Sequence, residues 1–140
     1  MKYFSDLKNG WATLTIDDFK CRCSYIQNVP ITILNAYKEF KEKYYCIIRI
    51  DSEGYENEII ITMNGIHVFV YRDRVLSYDL SNQFETLSDK VKLLSDLRDD
   101  ILNNIDEWTK WMCLTDPHDD CYENVLKEYK KTILRYAEKL

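Results

Sequence analysis

The sequence predicts an α+β fold: a mostly antiparallel sheet of about five or six strands, one helix after the first hairpin, and a C-terminal helical hairpin. Three observations carry this reading. Apolar residues alternate with a period of two in residues 13–23 and 44–71, then recur at three- and four-residue steps from Ser88 onward. Asn64-Gly65 stands between two β-branched runs, which is the strongest short hairpin signal. Only 3 Gly and 2 Pro in 140 residues leave few interruptions of regular structure.

In TLTIDDFKCRC, Leu14 and Ile16 alternate with threonines, and the apolar phase slips at Asp17-Asp18 before resuming with Phe19, Cys21 and Cys23. A slip at two turn-forming residues reads as a tight connection between two strands. Asn28 and Pro30 then suit a helix N-cap and first turn. Ile33, Leu34, Tyr37, Phe40 and Tyr44 form one stripe on the helix that follows. YYCIIRID (44–51) reads as a strand, with Ser52-Glu53-Gly54 as the turn after it. Taking Asn64-Gly65 as the two loop residues of a type I′ turn pairs Met63 with Ile66, Ile61 with Val68 and Ile59 with Val70 on a purely apolar face. The opposite face then pairs Thr62 with His67, Ile60 with Phe69 and Glu58 with Tyr71. A short strand follows at Val75–Tyr78.

Val91, Leu94, Leu97, Ile101, Ile105, Trp108 and Met112 share one stripe, predicting a continuous helix over Ser88–Cys113, about 39 Å long. Trp108 and Trp111 fall on different sides of it, which leaves one of them a candidate for exposure. After a break at Leu114–Asp119, Tyr122, Val125, Leu126, Tyr129, Ile133, Tyr136 and Leu140 make a second stripe. Two such helices joined by a short loop pack antiparallel.

A chain of 140 residues with 46% hydrophobic and 31% charged residues fits a single domain over 1–140. MKYFSDLKNG has no apolar leader segment, and the longest apolar runs are far too short to span a bilayer. Five cysteines, an odd number in unlike segments, favour free thiols and a cytoplasmic setting. A net charge of −5 without a basic, aromatic-rich cluster argues against nucleic acid as a partner.

The densest group of potential ligands is CLTDPHDDC, residues 113–121. A zinc reading uses Cys113, His118 and Cys121, but their spacing matches no standard finger or ribbon. The simpler reading is an interhelical loop, with Asp116-Pro117 stopping one helix and Asp119 or Asp120 capping the next. Cys21 and Cys23 share one face of a strand, a placement that a metal or a hydrophobic core could equally exploit. No catalytic motif is present and no cofactor is implied.

The mixed hairpin face with Glu58, His67, Phe69 and Tyr71 is the surface best suited to contact, because aromatics with polar tips are enriched at interfaces. The sequence leaves open whether a helix covers it. Asp96, Asp99 and Asp100 add an acidic helix surface. The expectation is a non-enzymatic cytosolic module that binds another, basic protein, of which an immunity-type inhibitor of a basic toxin is one form. The alternatives are a structural or regulatory homo-oligomer, such as a homodimer, and a zinc protein or enzyme built on Cys113, His118 and Cys121.

Overall fold

The computed structural model describes residues 2–72, 75–76, 83–85 and 88–140. Eight strands and four helices follow one another in these residues: β1 (Phe4–Lys8), β2 (Trp11–Ile16), β3 (Phe19–Ser24), α1 (Val29–Lys43), β4 (Cys46–Asp51), β5 (Tyr55–Thr62), β6 (Gly65–Arg72), β7 (Val75–Leu76), β8 (Gln83–Glu85), α2 (Lys90–Asn103), α3 (Ile105–Met112) and α4 (Tyr122–Glu138).

Helices and antiparallel strands are both present, but not in one sheet. β1-β2-β3 form a three-stranded meander, and β4-β5-β6-β7, with β8 also paired to β6, form a second sheet. The helix that was expected after the first hairpin follows a third strand instead. The reason lies at Asn9-Gly10, whose φ values of 52° and 77° suit a tight hairpin turn and add β1 in front of β2. The Asp17-Asp18 turn is where the alternation placed it, with Ile16 opposite Phe19.

The two sheets do not merge because side chains occupy the meeting edge. Gln27 accepts from Asp51 N–H at 2.9 Å and donates to the Arg49 carbonyl, mimicking a neighbouring strand along β4. Ser52 donates its hydroxyl to the Arg22 carbonyl on β3 at 2.6 Å. Both contacts satisfy edge groups that would otherwise invite pairing.

α1 starts as its sequence dictates. Asn28 Oδ1 accepts from Ile31 N–H at 3.2 Å, and Pro30 sits in the first turn. It ends one residue before Tyr44, which takes φ 64° and lies in solvent, so the apolar stripe closes at Phe40. Val29, Ile33, Leu34 and Phe40 are buried where α1 lies against β4, α2 and α4. Each such side chain contributes about 1.5–3 kcal/mol of burial.

The expected Ser88–Cys113 helix is two helices. α2 is capped by Asp89, which accepts from Lys92 N–H, and ends where Asn104 takes φ −123°. Asn104 Nδ2 donates back to the Asp100 carbonyl at 2.8 Å, so a side chain replaces the helical hydrogen bond and the axis turns. The turn swings α3 against β1, and both indoles go inside. Trp108 packs edge-to-face between Phe4 (4.9 Å) and Trp111 (5.2 Å), and Trp111 Nε1 donates to the Trp11 carbonyl at 2.9 Å. The exposed tryptophan that the helical wheel allowed is absent.

One apolar cluster draws on both sheets and all four helices, from Phe4, Leu14 and Ile16 through Ile48, Ile59, Ile61 and Val68 to Leu97, Trp108 and Ile133. Among the described residues no helix is long and apolar enough to cross a membrane.

Candidate functional site

The second sheet has two unlike faces. Ile48, Ile50, Ile59, Ile61, Ile66 and Val68 point into the core and are buried. The residues alternating with them form the outer face, and none of those described is buried. The cross-strand register assembles this face in rows. Ile47 lies opposite Ile60, which lies opposite His67; Arg49, Glu58 and Phe69 make the next row; Asp51, Glu56 and Tyr71 make the third.

The hairpin turn differs in register from the expected one. Thr62 pairs with Gly65, so the loop residues are Met63-Asn64, and Ile61 pairs with Ile66 rather than Val68. Asn64 is not among the residues with positive φ, and its N–H is held by Thr62 Oγ1 at 3.1 Å. The change is a slide of two residues, which preserves which side chains share a face. Met63 alone leaves the apolar face, being 58% exposed at the turn. Val75–Leu76 is the paired part of the expected 75–78 strand; Ser77 and Tyr78 lie outside the described residues.

Glu58, His67, Phe69 and Tyr71 are thus brought together, each half-buried. Glu58 pairs with Arg49 across the strands at 3.9 Å. Ile60 shares this face, as the alternation placed it, whereas Ile47, Asp51 and Glu56 belong to it and were missed. The alternation in YYCIIRID sets Ile47, Arg49 and Asp51 on one side, but it does not say which strand lies next to them.

The three helix aspartates do not form one exposed patch. Asp100 is only 6% exposed and accepts from the backbone N–H groups of Lys2, Tyr3 and Phe4 at 2.8, 2.9 and 3.1 Å. It anchors the first strand and is not available to a partner. Asp96 is ion-paired to Lys2 at 2.8 Å and to Lys92, and accepts from the Tyr3 hydroxyl. Hydrogen bonds from Lys2 and then Lys92 hold its carboxyl at about 2, well below the ordinary value. Asp99 faces solvent beside Arg98.

In the 113–121 loop, Asp116 and Asp119 use their carboxylates on backbone: Asp116 accepts from His118 N–H at 2.8 Å and Asp119 from Cys121 N–H at 3.1 Å. These are Asx-type turns. The residue at the α4 N-cap is Cys121, not Asp119 or Asp120, and it makes no side-chain cap. The Asp119 carboxylate, hydrogen-bonded to the Cys121 thiol, pushes that thiol's pKa up, opposite to what a nucleophile or a metal ligand wants. Cys113, His118 and Cys121 are not gathered: among the described residues no three His, Cys, Asp or Glu side chains are placed to hold a metal ion.

Comparison with family models, with curated proteins and with solved structures gives no match in any of the three.

Proposed function

We propose that the chain is a non-enzymatic protein-binding module whose contact surface is the outer face of the β4–β8 sheet. The observation that supports this is the composition of a face on which none of the described residues is fully buried. Ile47, Ile60, Phe69 and Tyr71 supply apolar and aromatic area, and Asp51, Glu56 and Glu58 crowd one end with Arg49 as the cation among them. Such a surface fits a partner with an apolar centre and a basic flank. With a net charge of −5 behind it, association is accelerated by long-range attraction. Inhibition of a basic toxin, as an immunity-type protein achieves it, is the form of this function that the charge favours.

The test places a photo-crosslinking phenylalanine analogue at position 69, and in a control at Leu134 on the exposed side of α4, in the producing cell. A protein captured at 69 but not at 134, and lost with Glu56→Lys/Glu58→Lys, supports the reading. Capture of a second copy of this chain would replace it with a homo-oligomer. No capture at 69 would overturn it.

A further inference from the structure

A cleft of about 590 Å³ opens where three distant segments meet: the β1–β2 turn, Tyr25 just past β3, and the last turn of α3 with the residues after it. It shares no residue with the outer face of the second sheet. Its volume lies in the range that takes up a small organic molecule, about 300–1,000 Å³.

Aromatic rings line it, and both are seated against backbone. Glu107, Lys110 and Trp111 leave one side of α3 at three- and four-residue spacing, and Leu114 borders the cleft beyond the helix end. Trp111 is buried and its Nε1–H is already given to the Trp11 carbonyl, so the indole offers the cleft only carbon surface. Tyr25 N–H donates to the Gly10 carbonyl at 2.9 Å, and its ring lies where a Cβ on Gly10 would come within 2.5 Å. Rings placed before a ligand arrives reduce the ordering cost of binding. Leu7 and Leu114 extend the apolar lining.

The charge at the cleft runs against that of the chain. Two ammoniums, Lys8 and Lys110, against one carboxylate, Glu107, leave one positive charge on a molecule whose net charge is −5. Four helix lysines have carboxylate partners: Lys38 with Glu42, Lys43 with Glu39, Lys92 with Asp96 and Lys130 with Asp106. Among the described residues neither Lys8 nor Lys110 has one, although Glu107 stands three residues before Lys110. Aromatic walls select a flat apolar body. A surplus of one positive charge selects a monoanion, since the second charge of a phosphate monoester would stand beside Glu107 uncompensated.

We infer that this cleft is a binding site for a small aromatic carboxylate, with its ring against Tyr25 and Trp111 and its carboxylate held by the ammoniums of Lys8 and Lys110. Glu107 opposes the ligand's charge. Removing the lysine charges and removing the glutamate charge must therefore change affinity in opposite directions, which a purely structural role for these residues would not produce.

The experiment follows the amide and indole N–H signals of the full chain by NMR as 2-naphthoate is added, with 2-naphthamide as the uncharged control of the same shape. Saturable shifts should centre on the Gly10, Tyr25 and Leu114 amides and the Trp111 Nε1–H, with a dissociation constant below about 1 mM. Naphthamide should bind at least about fivefold more weakly. Lys8→Gln/Lys110→Gln should weaken naphthoate by about five- to tenfold, the worth of two exposed ion pairs, and leave naphthamide unchanged. Glu107→Gln should tighten naphthoate about twofold. All three side chains are exposed, so these changes spare the core. The inference is overturned if millimolar naphthoate moves no signal around the cleft, if naphthamide binds as tightly, or if the double lysine variant binds naphthoate as the native chain does. Shifts gathered on the outer face of the second sheet instead would equally overturn it.

Discussion

Asp99 and Asp100 are neighbours in the chain with opposite environments. Asp99 lies in solvent, whereas Asp100 turns inward and gathers the backbone N–H groups of Lys2, Tyr3 and Phe4, where the chain enters the first strand. A carboxylate in such a nest makes charge-assisted bonds, each stronger than a neutral one, and its removal leaves buried donors without an acceptor. Asp100→Ala should therefore cost about 3 kcal/mol in urea unfolding, and Asp99→Ala no more than about 0.5. Asp100→Asn should fall between, since it keeps one acceptor and turns an NH₂ toward an N–H. Equal losses at both positions would contradict the anchoring role. Nothing in KVKLLSDLRDDILN separates these two residues, because the donors come from residues 96 to 98 positions away. A helical wheel reports which side chains avoid the core, not which ones meet a distant strand.

At the level of the element, the two Asn-Gly pairs show what local sequence can decide. Only Asn64-Gly65 was expected to be a type I′ turn, yet it is Asn9-Gly10 that takes positive φ at both positions. Asn64-Gly65 gives up the loop to Met63-Asn64, and the flanking strands then form eight cross-strand pairs from Tyr55–Arg72 to Thr62–Gly65. β2 to β6, their faces and α1 were legible, since each is set by alternation, a cap or a turn within a few residues, whereas β1 and β8 were not expected. The break of the long helix at Asn104 was not, because the apolar stripe runs straight through it and only a side-chain hydrogen bond marks the bend. Gly10 carries a second constraint beyond its φ of 77°: a Cβ there would lie 2.5 Å from the Tyr25 ring. Gly54, at φ 109°, has nothing within 4 Å of the same position. Gly54→Ala should thus cost about 1 kcal/mol of backbone strain, and Gly10→Ala at least about 2, read as a difference in urea midpoints. Similar losses would mean that Tyr25 swings aside at no cost.

For the molecule as a whole, the division into two sheets depends on Gln27 and Ser52 filling edges, and the closure of the core depends on the N-terminal segment being held to α2. Neither is written in any local pattern, which is why a single sheet was the natural expectation. The outer face of the second sheet was half legible: Glu58, His67, Phe69 and Tyr71 follow from alternation, but the neighbouring row of Ile47, Arg49 and Asp51 follows from which strand pairs with β5. The clamp on the first strand also makes the molecule sensitive to acid. The Lys2 ammonium, the Lys92 ammonium and the Tyr3 hydroxyl converge on one oxygen of Asp96. An isolated surface pair of this kind contributes little, but three donors on a half-buried carboxylate share one ordering cost. The folded carboxyl is held at about 2, below its ordinary 3.8, so its contribution is complete above 3.8 and is lost as pH falls toward about 2. Asp96→Asn removes that contribution at every pH. The gap in urea midpoint between the native chain and Asp96→Asn should therefore be constant above 3.8 and close progressively below it. β1 amides should exchange faster over the same window, because the strand they belong to is what the clamp holds. A gap that stays open down to about pH 2 would mean the three donors hold Asp96 without stabilising the fold.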